Sequence, residues 1–366
     1  MNKIGVYVMT LGPVQTNVYI AYNKESLECF IVDPSAQAQE IINVIKTPNF
    51  FYITVQNGVL YGYIIDVINR ASELVILAVG MTLVVASSGG TDISVGAVCA
   101  LAGAVACFIL AGGQVSTDIY HAPYIIAFLA AILVGLLCGS FNAFLVAKMN
   151  IQPMVATLIL FTAGRGMAQL VTNGQITYIR VDSFKMLGNS IKGIPLPTPV
   201  FVAIAVVAVT FVILKKTALG LYIETVGINN KAARLVGLNP VLIQFIAYAF
   251  CGLLAGLSGM IVSSRVYSAD ANNAGLNIEL DAILAVALGG NSLGGGRFSL
   301  LGSVIGAYTI QALTTTLYAM SVSADQLPVY KAIVVVIIVS LQSKELQRII
   351  RDIRHSKKKV EIAYEK

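Results

Sequence analysis

The sequence is poor in charge. Asp, Glu, Lys and Arg make up 11% of its 366 residues and apolar residues 57%, whereas a soluble domain carries about 25% charged residues. A surface covered by water is therefore excluded. There is no Trp, and the two histidines, His121 and His355, lie far apart and form no ligand-spaced pair, which argues against a zinc or haem site. Cysteines 29, 99, 107, 138 and 251 are scattered without a C-x-x-C pair; they read as small apolar packing residues rather than a disulfide framework or a metal site. The stretch "AVALGGNSLGGGRFSLLG", Ala285 to Gly302, is rich in glycine, yet G-x-x-x-x-G-K-[ST] occurs nowhere, so the chain has no Walker A lysine to hold nucleotide. Its net charge is +6, but the basic residues gather in the tail "KELQRIIRDIRHSKKK" and at joints such as Lys215-Lys216. That is the pattern of cytoplasmic loops, and it leaves no basic patch for a nucleic acid.

What the chain has is long apolar runs, such as "PYIIAFLAAILVGLLCGSFNAFLVA", and a mean hydropathy of +0.81. A membrane helix needs about 20 such residues, whereas a membrane β-barrel would alternate over segments of about 10. The expected fold is an all-α polytopic membrane protein of about nine spanning segments, some of them broken or re-entrant. We place these at 72–90, 93–113, 122–147, 153–173, 198–215, 241–264, 281–293, 299–320 and 329–343, the seventh being short for a complete crossing. Residues 48–71 read as an extended piece and a short interfacial helix. Lys148, Lys215-Lys216, the loop with Lys231 and Arg234, and the tail are expected in the cytoplasm; 174–197, with Arg180, Lys185 and Lys192, falls outside despite its charge. With the C-terminus inside, nine crossings put the N-terminus outside.

Residues 1–47 differ from the rest. "VQTNVYIAYNKESLECFIVDP" alternates in two runs around a polar "NKES" turn, a hairpin pattern, and "SAQAQEIINVI" has a helix start followed by apolar residues at helical spacing. The stretch reads as the opening of a soluble α/β-like fragment, with no basic region leading into an apolar core as a secretory signal has.

Polar residues inside the apolar runs mark the candidate sites. In "SSGGTDISVGA", Ser87 to Ala97, Gly89 and Gly90 permit a helix break, and Asp92 or Ser94 can cap the helix that follows. A break at bilayer depth persists only within protein or beside a water-filled cavity, so Asp92 either caps alone or caps and lines a path. Arg165 in "FTAGRGMAQL" needs a partner or water: it either snorkels to the interface or braces the interior with Gln169, one turn on. Asn291 fits a tight re-entrant turn. Glu279 and Asp281, at i and i+2, point to different faces; with Asp270 they are candidates for caps or for an extracellular gate. The segment Leu221–Pro240 holds a short helix, "NKAARLVG", between Gly227 and Gly237. Ala232 and Ala233 would leave one face bare for another protein's backbone, and Arg234 can pair with an acidic partner. The G-x-x-x-G pairs Gly135/Gly139, Gly252/Gly256 and Gly302/Gly306 read as helix packing rather than dimerisation.

Four stretches, "GMTLVVASSGGTDISVGAV", "IQPMVATLILFTAGRGMAQLVTNGQI", "VGINNKAARLVGLN" and "SADANNAGLNIELDAILAVALGGNSLGGGRFSLLGSVIGA", together resemble the permease subunit of bacterial ABC sugar importers. The likeness is to the ribose/galactose/xylose group, nearest the galactofuranose-type permease, and runs in order over about residues 48–343. It implies a multi-pass protein of the cell (inner) membrane that is not itself an enzyme and carries no cofactor, ATP and Mg being held by a separate ABC ATPase. It further implies a second permease subunit and an extracytoplasmic sugar-binding protein. The loop with Glu224, Gly227, Asn230, Ala232, Ala233, Arg234 and Gly237 would then couple to the ATPase, and Gly89, Gly90, Asp92, Ser94, Arg165, Gln169 and Asn291 would be candidates for the translocation path. Sugar sites often stack aromatic rings on the ligand, so the lack of Trp points to tight recognition in the binding protein. Other readings are a passive channel or a permease for another small polar solute. Residues 1–47 resemble instead the start of metallo-β-lactamase-fold hydrolases of the glyoxalase II type, but their H-x-H-x-D-H metal motif does not follow. The expected organisation is a truncated hydrolase-like fragment over 1–47, a permease domain over 48–345 and a basic cytoplasmic tail over 346–366.

Overall fold

The computed structural model describes residues 4–11, 16–23, 29–32, 53–56 and 59–342, except 192, 321 and 324. The chain divides into two compact units, Met1–Thr54 and Val55–Lys366. In the first, strands β1 (Ile4–Leu11), β2 (Thr16–Asn23) and β3 (Cys29–Val32) pair in that order and antiparallel, with Tyr7 opposite Ile20 and Ile20 opposite Ile31. The β2–β3 pairing is the hairpin that the alternation predicts. The expected helix over "SAQAQEIINVI" and the basic tail lie outside the described residues.

The second unit is helical. Short strands β4 (Thr54–Gln56) and β5 (Val59–Tyr61) precede α1 (Tyr63–Ser88). Then follow α2 (Val95–Ala111), α3 (Tyr124–Ala143, widening into a π turn over Phe144–Lys148), α4 (Pro153–Val171) and α5 (Thr198–Lys216). Two short helices, α6 (Leu219–Ile228) and α7 (Asn230–Leu235), lead to α8 (Pro240–Val266). The unit ends with α9 (Ile278–Leu288), α10 (Leu300–Ala319) and α11 (Leu327–Gln342). Sequence sets the boundaries. Proline opens α4 and α8, where the missing N–H would have no partner anyway. The side chains of Asn239 and Ser299 cap α8 and α10 by accepting from the N–H groups of Leu242 and Gly302.

Among the described residues, six helices are long and apolar enough to cross a membrane: α1, α3 with its π turn, α4, α5, α8 and α10. The nine-segment count is not met as nine full helices. Of the other three, α2 has 17 residues, α9 has 11 and α11 has 16. At 1.5 Å per residue, α9 reaches about 16 Å, half of a core about 30 Å thick. The expected interfacial helix before residue 72 is a further difference: Tyr63 to Ser88 is one continuous helix.

Burial separates two kinds of span. In α1 the apolar window is 89% buried and in α8 67%, but in α3, α4 and α5 it is only 22–28%. The first two form the core. The others turn Leu129, Leu133, Leu137, Ile204 and Phe211 outward, a surface that lipid accommodates and water does not. Close approach of α3 to α8 rests on the two predicted glycine pairs. A methyl group at Gly135 or Gly139 would overlap the backbone of Gly252 or Tyr248, and one at Gly256 the carbonyl of Ala131. Gly302 and Gly306 likewise pack on Gly289 and Ala285 of α9.

The two ends of the bundle differ in sequence and structure. At one end gather the C-terminal ends of α1, α3 and α5, the helices α6 and α7 and the start of α8; the basic joints Lys148, Lys215-Lys216 and Lys231 with Arg234 all belong here. At the other end, β6 (Ser116–Thr117), β7 (Thr177–Ile179) and β8 (Ser268–Ala269) form a small sheet of order β6–β7–β8.

Candidate functional site

Three places hold the predicted residues, and the first is the break after α1. Gly89 ends the helix with φ 64° and donates its N–H to the carbonyl of Val85 (3.0 Å), a left-handed conformation that favours glycine. The chain then rises beside α1 rather than leaving the bundle, since the N–H of Asp92 points to the Met81 sulfur (3.4 Å). As a result α2 starts inside the bundle. Its Cys99 lies against Gly259 of α8, so Val95, one turn earlier, is level with about the middle of that helix. The carboxylate of Asp92 accepts from the Ser94 N–H (2.9 Å), the Ser94 hydroxyl (2.6 Å) and Asn142 Nδ2 (3.3 Å). Asn142 on α3 also donates to Ser94 Oγ at 2.8 Å. Asp92 is 1% exposed and Ser94 1%, so in this conformation the pair is enclosed and bonded to each other and to Asn142.

The second place is a re-entrant segment. After β8 the chain turns back into the bundle. Asp270 holds the turn, its carboxylate accepting from the N–H groups of Asn272 (2.9 Å) and Asn273 (3.1 Å) and from Asn273 Nδ2 (2.7 Å). From α4, Arg165 donates one guanidinium nitrogen to three carbonyls, those of Ala271 (3.2 Å), Asn272 (3.0 Å) and Ala274 (2.9 Å). Gln169 donates to Asn272 Oδ1 at 2.5 Å. The segment descends until Gly275 meets Gly96 of α2, and α9 begins there. As their spacing requires, the acids of its first turn diverge. Glu279, 3% exposed, lies against Gly96, where any side chain would displace its carboxylate; Asp281 pairs with Lys331 of α11 at 2.7 Å. Beyond α9, Asn291 ties two helix ends together: its Nδ2 donates to the Val286 carbonyl (3.0 Å) and Ser303 Oγ (2.8 Å), and its Oδ1 accepts from the Ser299 N–H (2.6 Å). It is 8% exposed and stitches the turn rather than facing a cavity.

The third place is the loop at the basic end. Asn229 caps α7 by accepting from the N–H groups of Lys231 (3.0 Å) and Ala232 (3.1 Å). Glu224 is half-buried on α6, while Asn230, Lys231, Arg234 and Gly237 are exposed. The expected alanine face is split: Ala232 is exposed, but Ala233 is fully buried against Leu83, Ala86, Ile223, Val226, Ile243 and Ala247. At 3.6 residues per turn, adjacent positions lie about 100° apart around the helix, so Ala232 and Ala233 diverge, and Ala233 takes the side that docks on the bundle. What the loop turns outward is larger: Leu235 is 88% exposed, Val236 72% and Ile228 69%.

The family model for the permease component of the branched-chain amino acid transport system matches residues 63–341, which takes in all three places. The chain belongs to this family. It is thus a permease component, a transport subunit and not an enzyme, and with its six spanning-length helices it is a multi-pass membrane protein of the cell (inner) membrane. The permease is 43% identical to the galactofuranose transporter permease protein YtfT of Escherichia coli (strain K12), over 86% of this chain and 89% of the relative. It is 38% identical to the fructose import permease protein FruF of Bifidobacterium longum (strain NCC 2705), over 80% of each chain. Identity to the ribose import permease protein RbsC of Escherichia coli (strain K12) is 37%, over 83% of this chain and 91% of that one. Among solved structures, PsaBC from Streptococcus pneumoniae in complex with Fab matches with a TM-score of 0.47 at 14% identity, covering 84% of this chain and 97% of that chain.

Several residues of the permease escaped the sequence reading. Asn142 carries half of the Asp92 network; an amide inside the apolar run "CGSFNAF", three residues after Gly139, was a usable signal, because buried polar groups in a membrane need partners. Lys331 stands in an apolar run in the same way. The ion pair between Arg265 and Glu73 (2.6 Å), in which Arg265 also donates to the Asn69 carbonyl (3.0 Å), joins α8 to α1 across nearly 200 residues of sequence, and no local pattern announces it.

Proposed function

We propose that this chain is the permease subunit of an ATP-driven sugar importer and forms the membrane path for a monosaccharide of the galactofuranose, ribose or galactose kind. The printed names of its relatives, transporters or importers of galactofuranose, fructose and ribose, support the substrate class. Its partners are an ABC ATPase that binds ATP and Mg, a second permease subunit, identical or related, and an extracytoplasmic sugar-binding protein. The chain itself needs no cofactor. The observation that carries the reading is the loop α6–α7: a short capped helix at the basic end, presenting exposed Leu235 and Val236 beside Lys231 and Arg234. An apolar tip ringed by cations suits a partner with an apolar pocket and an acidic rim. Closure of the ATPase would push this loop and switch the path between outward- and inward-facing states. The polar breaks at Gly89, Gly90, Asp92 and Ser94, at Arg165 and Gln169, and at Asn291 would be the parts that rearrange, with Asp270, Glu279 and Asp281 holding the outer gate.

The division of the chain belongs to the same proposal: a truncated hydrolase-like fragment at 1–47, the permease domain at 48–345 and a basic cytoplasmic tail at 346–366. A separate compact unit up to Thr54 supports it. To test the coupling role, Arg234→Glu is reconstituted with the ATPase and the binding protein. Sugar-stimulated ATP hydrolysis should be abolished while membrane insertion stays intact; unchanged coupling removes the assignment. Sugar flux through the permease alone, without nucleotide, would make it a channel.

A further inference from the structure

On the importer reading above, the ATPase docks on the loop α6–α7 at the basic end, and a push there must reach the middle of the bundle. Three chain segments far apart in sequence touch through bare backbone just above α7. Gly227 on α6 sits so close to the last turn of α1 that a methyl group there would overlap the Ala86 carbonyl and come within 2.6 Å of the Gly296 nitrogen. That same Ala86 carbonyl accepts the N–H of Gly296 at 3.0 Å. Gly295, with φ 88°, fills the remaining gap: a side chain there would stand 3.1 Å from both the Gly227 carbonyl and Gly89 Cα. Finally Gly296 faces the side chain of Ile228, and Gly89 faces the carbonyl of Gly294.

We propose that this junction of Ala86–Gly89, Gly227–Ile228 and Gly294–Gly296 transmits the partner's stroke, with Gly227, Gly295 and Gly296 as its positioning residues. The inference rests on the importer reading above. Its physical basis is that Gly227, Ala86, Gly89, Gly294 and Gly295 meet with no side chain between them, the one side chain in the junction being Ile228 against Gly296. A displacement of α6 is not absorbed by a change of rotamer at the backbone contacts, and packed contacts of this kind shift as units rather than deform. Two of the segments lead to a discontinuity each, and the third, Gly227–Ile228, leads to α7. Gly89 continues into Gly90, Thr91 and the Asp92 cap of α2. Gly294 follows Asn291, which ties the end of α9 to the start of α10. The starts of α2 and α9 meet again higher up, where Gly96 touches Gly275 and Glu279. A push at α7 therefore moves both half-helices together, from a single junction.

The test uses the complete transporter in vesicles: permease, ATPase and a binding protein loaded with D-galactose or D-ribose. A Thr91→Cys reporter is labelled by a maleimide with and without ATP and vanadate, which hold the ATPase closed. In the parent, trapping changes the labelling rate. Gly295→Ala and Gly296→Ala, inserted and assembled with the ATPase, should keep basal hydrolysis, lose sugar stimulation at least tenfold and lose the nucleotide-dependent change at Thr91. Gly290→Ala is the control. Gly290 has the same backbone strain (φ 80°) but no atom within 4 Å of the added methyl, so it should behave like the parent. The proposal is overturned if both junction variants keep stimulation within twofold of the parent and still move the reporter, or if Gly290→Ala uncouples as strongly. A variant that fails to insert is replaced by Ile228→Ala, which empties the contact to Gly296 without adding an atom and should weaken stimulation; unaltered coupling there also counts against the junction. A parent whose ATP hydrolysis the loaded binding protein does not stimulate refutes the importer reading instead, whereas stimulation in the parent with no change at Thr91 overturns the junction.

Discussion

The two ends of this permease are held by different chemistry. At the basic end, beside a small apolar cluster, three segments meet backbone to backbone through Gly227 and Gly295, where no side chain stands between them to adjust. Toward the opposite end, the contacts are long polar arms: Arg165 on three carbonyls, Arg265 on Glu73, and Lys331 on Asp281. Glycine contacts are short and have one good distance, whereas an arginine or lysine can keep its partner while the backbone moves. The basic end is therefore built to pass a displacement on, and the region of the arms to accommodate one. The non-helical turn at 271–274 leaves carbonyls without helical partners, and the guanidinium of Arg165 serves three at once.

Graded substitutions can break or sharpen this contrast. Gly227→Val should have the largest effect. The added atoms have no room beside the Ala86 carbonyl, and overpacking of at least about 1–3 kcal/mol is expected to abolish the folded, detergent-soluble form, read as loss of a monodisperse species. Arg165→Ala comes next. Leaving carbonyls without their charged donor costs about 1–3 kcal/mol per group, and the 270–277 segment should become open to proteolysis while the bundle persists; Arg165→Lys should recover part of this. A smaller effect is expected for the pair Asp281 and Lys331. A double-mutant cycle with Asp281→Asn and Lys331→Met should give a coupling of about 0.5–3 kcal/mol in thermal unfolding, and zero coupling would remove the arm from the comparison. Leu235→Glu should leave stability within about 0.5 kcal/mol, as expected for a surface position, yet cost the permease its ATPase stimulation. Unaltered stimulation would show that the exposed tip docks on nothing.

Much of the architecture was legible in the sequence because it depends on short-range rules. Apolar length gave the spans, and G-x-x-x-G spacing gave the packing faces that Gly135, Gly139, Gly252 and Gly256 do occupy. The helix break at Gly89 and the divergence of Glu279 from Asp281 were likewise local. The span count was less legible: a short re-entrant helix such as Ile278–Leu288 is, residue for residue, as apolar as a crossing helix, and hydropathy does not register direction or depth. The burial of Ala233 was missed because an alanine suits either side of a short helix, and only its neighbours decide which.

The sequence by itself determined that this is a mostly helical membrane protein with polar interruptions at Asp92, Arg165 and Asn291, and by likeness of several ordered stretches it determined the permease family. Only the tertiary structure decided what those interruptions touch. Asp92 turned out to be closed by Asn142, Arg165 to hold a loop about a hundred residues away, and glycines from three distant segments to share one junction. The reason is physical: composition and period follow from each residue's preference for lipid or water, while partners are set by which helices the packed bundle brings within hydrogen-bonding distance.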